Sequence, residues 1–140
     1  MALHRSEISI GDVYEHVVID NLTRTQIVQY AGASGDYNPL HTDEIFATQV
    51  VGNPTVLAHG MLTMGATGRM LTDFVGDGRL VEYGGRFLAP VWPGDTLTAS
   101  AEVIGFRVRD EISEVELSVT TLNAAAQEVF KGRAVARMDD

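Results

Sequence analysis

Two hydrophobic periodicities divide the chain, and the change between them falls near residue 76. From Arg79 onward apolar and polar residues alternate with a period of two, which is typical of half-buried strands. The alternating segments are residues 80–88, 97–103, 115–119 and 130–138, and a weaker fifth segment covers 14–19. In the second of them Leu97, Ala99, Ala101 and Val103 share one face. The pattern therefore predicts five strands, most of them in the second half of the chain.

The first half carries signals for helices. Thr23 and Gln26 form a capping-box pattern, and Gly35 is placed to end the short helix that follows. Thr42 is expected to cap a second short helix whose first turn is acidic. A third helix is predicted over about residues 60–74. It is apolar nearly all round and rich in glycine and alanine, which indicates a buried helix with a sheet pressed against it.

An antiparallel sheet with one apolar helix against it is an α+β arrangement. The length of 140 residues allows one domain, spanning 1–140, with one core. Apolar residues make up 45 % and charged residues 21 % of the chain, as in soluble globular proteins. No apolar run approaches the roughly 20 residues that cross a bilayer, and the first residues do not resemble a secretory signal.

Charge and cysteine content narrow the possible partners and chemistry. The formal net charge of −9 argues against nucleic acid, because a phosphate backbone repels an acidic surface. The chain has no cysteine, which excludes disulfides and thiolate chemistry and suits a cytoplasmic location.

One loop offers candidates for acid–base chemistry. It places the carboxylate of Asp36 five positions before the imidazole of His41, and Pro39 between them prevents a regular helix. A carboxylate and a neutral imidazole that face one cavity hold a water molecule and move its proton. The alternative is a solvated surface loop in which Asp36 forms an Asx turn.

A second motif, His59-Gly60-Met61, stands at the predicted start of the apolar helix. Amides in a first helical turn lack partners within the helix and lie at the positive end of its dipole. Since Gly60 has no side chain, its N–H is open to a carbonyl oxygen that gains negative charge during a reaction. The alternative is that Gly60 permits a tight turn and His59 packs or caps the helix.

Together these segments resemble a known family. The stretch from Tyr30 to His41, which contains Asp-Tyr-Asn-Pro-Leu-His, is followed by Leu57-Ala-His-Gly-Met-Leu62. Both are similar to the MaoC-like, (R)-specific enoyl-thioester hydratases and the (3R)-hydroxyacyl-thioester dehydratases. The segment from Gly85 to Asp95 is similar as well, so the resemblance covers most of the chain.

The resemblance implies a hot-dog fold, in which an antiparallel sheet wraps around a long central helix and two subunits usually pair. It also implies a hydro-lyase in which Asp36 and His41 activate water and the Gly60 amide binds the thioester carbonyl. Asn38 would support the loop and, with His59 and Met61, contact substrate. No metal and no cofactor are expected, because CoA or acyl carrier protein arrives as part of the substrate.

Several alternatives are weighed against this interpretation. An acyl-CoA thioesterase of the same fold commonly uses a carboxylate on the central helix, and residues 61–72 contain none. A non-catalytic acyl-binding partner subunit of a heteromeric dehydratase would not need both Asp36 and His41. A metal site lacks the usual ligand spacing. Five arginines are candidates for contacting the phosphates of a carrier: Arg69, Arg79, Arg86, Arg107 and Arg109.

The sequence leaves several choices open. These are acyl chain length, the direction of the reaction, a homodimer or a heterodimer with a related subunit, and which of Asp36 and His41 takes the first proton. The acidic composition gives CoA a slight advantage over an acidic carrier protein.

Overall fold

The computed structural model describes residues 2–140, in which five strands form one antiparallel sheet beside two α-helices. The elements are β1 (Val13–Ile19), α1 (Arg24–Ser34), α2 (Gly60–Val75), β2 (Leu80–Phe87), β3 (Leu97–Arg109), β4 (Ile112–Leu122) and β5 (Glu128–Arg137). The strand order is β1-β3-β4-β5-β2, so β1 and β2 are the edges. The α+β prediction and all five strands are confirmed. No helix within residues 2–140 is long and apolar enough to cross a membrane.

The capping signals around α1 form as the sequence predicts. The Thr23 hydroxyl accepts a hydrogen bond from the Gln26 amide at 3.0 Å, and the Gln26 side chain accepts from the Thr23 amide at 2.9 Å. Gly35 ends the helix at φ 73°, a left-handed conformation that glycine adopts without steric cost. This cap fixes the point at which the chain leaves α1 and enters the loop that carries Asp36 and His41.

The predicted cap at Thr42 is wrong. Thr42 ends a 3-10 turn over Pro39–His41, and its amide donates to the carbonyl of Pro39. Asp43 supplies the cap instead, because its Oδ1 accepts hydrogen bonds from the amides of Ile45 and Phe46 at 3.0 and 3.1 Å. The following turn is a π-helix over Phe46–Val50. The 3-10 turn that begins at Pro39 therefore moves the helix start by one residue.

Helix α2 lies on one face of the sheet and forms the main core with it. All four apolar positions predicted to share a face of β3, from Leu97 to Val103, are fully buried. A buried hydrogen bond of 2.7 Å joins the hydroxyls of Thr67 and Thr121, and the Tyr83 hydroxyl donates to the carbonyl of Met64 at 2.7 Å. These bonds fix α2 against β4 and the edge strand β2.

The prediction that α2 is buried nearly all round is wrong for one side of the helix. Met61, Gly65 and Arg69 are exposed, whereas Thr63 and Thr67 are buried against the sheet. The sheet covers one face of a single helix, and the opposite face stays open in one copy of the chain. Gly68 serves the covered face, since a Cβ at this position would meet the Tyr83 ring at 3.1 Å, whereas a Cβ at Gly65 would meet nothing within 4 Å.

We expect Gly132→Ala to destabilise the fold strongly. A Cβ at Gly132 would lie 2.0 Å from the carbonyl oxygen of Gly84 on the neighbouring strand, so the backbone of β2 or β5 must move. Overpacking of this kind typically costs about 1–3 kcal/mol, and a backbone contact this short points to the upper end. Gly84→Ala is the matched control, because a Cβ there meets nothing within 4 Å. Urea unfolding of both variants measures the difference, and equal midpoints would contradict this account.

Candidate active site

The loop between α1 and the 3-10 turn brings Asp36 and His41 to one cavity. His41 Nε2 lies 3.6 Å from Asp36 Oδ2. The two side chains differ in exposure, since 53 % of the carboxylate side chain and 10 % of the imidazole reach solvent. At 3.6 Å the two atoms are too far apart for a direct hydrogen bond and close enough for one water to bridge them.

Short-range hydrogen bonds give the loop its curvature. Asp36 Oδ1 accepts from the Asn38 amide at 3.3 Å, and Asn38 Oδ1 accepts from the Leu40 amide at 3.1 Å. Pro39 occupies the first position of the 3-10 turn, where its missing N–H removes no hydrogen bond. Asn38 thus has the loop-supporting position that the family resemblance implies, and it does not line the catalytic cavity. A contact between Asn38 and substrate stays a prediction.

A main-chain carbonyl sets the tautomer of His41. Its Nδ1 lies within hydrogen-bond distance of the carbonyl oxygen of Leu57. Because a carbonyl only accepts hydrogen bonds, Nδ1 carries the proton, and Nε2 of the neutral ring presents a lone pair towards Asp36. Leu57 is itself held in place, since its amide donates to the carbonyl of Leu40 at 3.0 Å. The cavity therefore holds two proton acceptors side by side.

His59 lies directly behind this pair. Its ring stacks on His41 with centroids 3.7 Å apart and planes 19° apart, and it is 2 % exposed. Burial lowers the pKa of His59 below its usual value. The hydrogen bond to the Asp36 carbonyl opposes that change in pKa, and the neighbouring His41 adds to it. His59 lines the cavity, but it is buried among protein groups.

Gly60 is the first residue of α2 and lies at the mouth of the same cavity. In the part of the chain that the structure describes, no protein group accepts a hydrogen bond from its amide. The amide also stands at the positive end of a 16-residue helix. A Cβ at this position would meet the Phe87 ring at 3.0 Å, so glycine also leaves room for that ring. The site has an available donor near its two acceptors.

The cavity that Asp36 and His41 share measures about 430 Å³. It is lined by Tyr30, Ser34, Asp36, His41, His59, Gly60, Met61 and Phe87. Met61 is 54 % exposed at the rim, where its thioether is accessible to a ligand. The structure thus brings Asp36, His41, His59, Gly60 and Met61 together, whereas Asn38 belongs to the loop but does not line this cavity.

A second, mostly apolar cavity of about 390 Å³ adjoins the first. The two share Gly60 and Phe87, so the Phe87 ring and the start of α2 form the partition between them. Apart from Thr63, the side chains around it are apolar: Leu57, Ala58, Phe87, Leu88, Ala89, Pro90, Val91 and Val129. An apolar chain attached to a group in the catalytic cavity would find a matching surface here.

Asp36, His41 and His59 offer donor atoms within 4.8 Å of one another, a spacing that a metal ion could use. Their hydrogen bonds favour another use. Nδ1 of His41 and Nε2 of His59 already face backbone carbonyls, and the remaining nitrogen of His59 is buried. One imidazole nitrogen and one carboxylate remain accessible, which suits proton transfer better than coordination.

Three of the five candidate arginines are engaged by carboxylates. Arg79 pairs with Asp139, and both Arg107 and Arg109 bind Glu114 and Glu82. Glu114 is 3 % exposed, and this burial by itself would raise its pKa. The hydrogen bonds and positive charges of Arg107 and Arg109 outweigh burial, so the pKa of Glu114 lies below its usual range. Arg69 and Arg86 have no carboxylate partner within residues 2–140, and Arg86 directly precedes Phe87. Arg86 is exposed near the end of β2, and it does not line either cavity.

Sequence reasoning misses three contributors to the site. The Leu57 carbonyl orients His41, but a main-chain group leaves no signature in the residue type. The rings of Phe87 and Tyr30 line the cavity from β2 and α1. Phe87 fits the alternating pattern of a strand. The sequence does not show that the end of this strand lies next to Gly60 at the start of α2. Tyr30 looks like an ordinary core position of α1.

Comparisons with known proteins place the chain among its relatives. A model of the MaoC like domain family matches residues 5–125. The chain is 42 % identical over 83 residues to 3-hydroxyacyl-thioester dehydratase Y of Mycobacterium tuberculosis, which covers 57 % of this chain and 29 % of that protein. It is 35 % identical over 115 residues to the (R)-specific enoyl-CoA hydratase of Rhodospirillum rubrum, covering 81 % and 77 % of the two chains.

The fold is shared with solved hydratases. The structure of an R-hydratase from Pseudomonas aeruginosa in its unliganded form matches 99 % of this chain and 87 % of that chain, with a TM-score of 0.85 and 24 % identity. At that identity the likeness shows the fold, and the predicted hot-dog architecture is confirmed. The chain spans less than a third of the length of the Mycobacterium tuberculosis dehydratase.

Proposed function

The chain belongs to the MaoC-like dehydratase domain family, and we propose that it is an (R)-specific enoyl-thioester hydratase, or the same enzyme acting as a 3-hydroxyacyl-thioester dehydratase. One observation carries the proposal. His41 Nε2 and Asp36 Oδ2, both proton acceptors, lie 3.6 Å apart in one cavity with the open amide of Gly60. Relatives of this chain bear the names hydratase and dehydratase, which supports this reaction class.

The proposed hydration begins with a water molecule between Asp36 and His41. Its two hydrogens point to the two acceptors, so an oxygen lone pair faces C3 of the enoyl thioester. As the new C3–O bond forms, one water O–H bond breaks and its proton passes to the pair. A proton from the pair then reaches C2, which completes the addition.

The Gly60 amide has the complementary task in this proposal. Attack at C3 moves electron density onto the thioester oxygen, and an amide fixed at a helix N-terminus stabilises the developing negative charge. A donor of this kind is worth about 3 kcal/mol in other enzymes. The start of α2 therefore orients the carbonyl while the loop supplies the water.

The apolar cavity beyond Phe87 suits the acyl chain, and its roughly 390 Å³ favours a fatty acyl substrate. The carrier is CoA or acyl carrier protein, bound as part of the substrate. Arg86 is exposed at the end of β2 and is a candidate contact for the phosphates of the carrier. The acidic composition favours CoA of the two. A cytoplasmic location fits the absence of cysteine.

A partner subunit is also part of the proposal. The outer edge of β2 has no neighbouring strand among residues 2–140, and Phe87 and Leu88 at its end are each half exposed. Met61, at the same mouth, is exposed to a similar degree. A second copy, or a related hot-dog subunit, would cover this edge and these apolar side chains.

The thioesterase alternative fits the geometry less well. The sole acid within α2 is Asp73, 13 residues after Gly60 and thus roughly 20 Å further along the helix axis. It lies beside His16 and Arg69 in a different cavity. A non-catalytic subunit is disfavoured because both acceptors and the open amide are in place.

Asp36→Asn and His41→Ala should each lower hydratase turnover by about 10²–10⁴-fold, because each removes one of the two acceptors that hold the water. Loss of absorbance at the enoyl-thioester band measures the rate. Asp77→Asn and His16→Ala are matched controls, since both residues are exposed and remote from the cavity. Wild-type turnover in either site variant with an unchanged melting temperature would contradict the assignment.

The product of hydration should be the (R)-3-hydroxyacyl thioester. This expectation comes from the family, because the handedness depends on which face of the double bond the pair approaches. Chiral chromatography of the hydrolysed product measures it. A predominantly (S) product would mean that the substrate lies in the cavity the other way round and that the family's stereochemistry does not apply.

Gly60→Val should lower kcat/KM by at least about 10²-fold, with the loss visible in kcat, because the donor acts on charge that grows towards the transition state. The added side chain also meets the Phe87 ring, because a Cβ at this position would lie 3.0 Å from it. Gly65→Val is the matched control on the same helix, where a Cβ meets nothing within 4 Å. Melting temperatures identify variants that disturb the helix start.

A double variant separates two causes of that loss. If Gly60→Val acts merely by pushing Phe87, then Gly60→Val with Phe87→Ala should regain most of the activity. If the valine blocks access to the amide, the double variant stays slow. Recovery would therefore argue against the oxyanion role of Gly60.

A further inference from the structure

His59 makes two contacts that link the two halves of the catalytic pair. Its ring covers one face of His41, with centroids 3.7 Å apart, and its Nε2 lies 3.1 Å from the main-chain carbonyl oxygen of Asp36. The edge of Tyr30 closes the assembly at a centroid distance of 4.8 Å. One buried side chain thus touches the imidazole directly and the carboxylate residue through its backbone.

The hydrogen bond to Asp36 determines the tautomer of His59, and the surroundings of its other ring nitrogen favour the neutral form. The Asp36 carbonyl accepts, so Nε2 is the protonated nitrogen, and Nδ1 of a neutral ring holds a lone pair. Nδ1 is buried and has no partner among residues 2–140. A second proton there would be an N–H without an acceptor, on a charged ring stacked against His41. The groups that face His59 are Asp36, His41 and Tyr30, and the neutral ring is compatible with all three.

We propose that His59 is a positioning residue of the hydratase site, which fixes the plane of the His41 ring and the main chain of Asp36 and does not itself bind substrate or transfer a proton. This inference rests on the proposed function. Its basis is the juxtaposition of a stacked ring, a hydrogen-bonded carbonyl and 2 % exposure in one residue. A ring free to rotate would move Nε2 away from the bridging water, and displacements near 1 Å cost about 10²-fold in rate.

Three variants separate the contacts. His59→Ala removes both, His59→Phe keeps a ring for stacking, and His59→Gln keeps an amide donor for the Asp36 carbonyl. We expect kcat to fall about 10²-fold in His59→Ala and roughly 10-fold in each of the other two. His16→Gln, on the exposed face of β1, is the control and should match wild type.

The distinguishing measurement is the separation of kcat from binding. A saturated acyl-CoA of the same chain length as the best enoyl substrate is titrated into each variant by calorimetry. We expect its Kd and the KM to stay within about threefold of wild type while kcat falls. A Kd that rises tenfold with an unchanged kcat would overturn the proposal and make His59 a substrate-binding residue. Wild-type kcat in His59→Ala would overturn it as well.

Nitrogen-15 NMR of the histidine rings gives a readout that needs no activity. In the wild type His41 should be a single Nδ1–H tautomer and His59 a single Nε2–H tautomer near pH 7. In His59→Ala the unsupported His41 ring should turn away from the Leu57 carbonyl that sets its tautomer and become a mixture of both tautomers. If that variant does not fold, His59→Gln and His59→Phe are compared instead. An unchanged His41 tautomer in every folded variant would overturn the proposal. A wild type inactive on all enoyl thioesters would contradict the proposed function alone, and the NMR result would still decide this inference.

Discussion

The site depends on how the short segment before α2 is held. The amide of Leu57 pairs with the carbonyl of Leu40 on the catalytic loop, and the amide of Ala58 pairs with the carbonyl of Val91 on the other side. Fixed from both sides, this segment presents the Leu57 carbonyl to His41 and the His59 ring to Asp36. Gly60 follows at once as the start of α2. The tautomer of His41, the main-chain position of Asp36 and the start of α2 therefore depend on one segment.

The sheet maintains this arrangement by close packing around α2. The hydrogen bond between Thr67 and Thr121 and the hydrogen bond from Tyr83 to the carbonyl of Met64 hold α2 in position on the sheet. Glycines at Gly85 and Gly132 allow β2 and β5 to approach so closely that a Cβ at either would fall under 3 Å from the neighbouring backbone. Since Phe87 ends β2, the register of these strands also sets the partition between the two cavities.

The sequence predicts much of this through patterns that are local. The capping box at Thr23, the left-handed end at Gly35 and the buried alternation along β3 each follow from a few neighbouring residues. Thr42 was the wrong cap because the preceding Pro39 turn uses its amide, a competition that residue preferences do not reveal. The composition of α2 predicts a buried helix, but it does not show whether one or both sides of the helix are packed against other elements. The role of the Leu57 carbonyl and the burial of His59 depend on long-range contacts, which no local pattern encodes.

The unequal exposure of Asp36 and His41 suits different roles for the two residues in the proposed reaction. The His59 ring covers one face of His41, and the Leu57 carbonyl holds its Nδ1. The lone pair on His41 Nε2 therefore points in one direction, towards Asp36. The carboxylate, whose side chain is 53 % exposed, exchanges protons with solvent more readily than the 10 % exposed imidazole does. The 3.6 Å gap keeps the two from bonding directly, because a closer approach would join them as an ion pair and exclude the water. In the proposed mechanism burial therefore orients His41, exposure gives Asp36 access to solvent, and the 3.6 Å gap leaves a place for the reacting water.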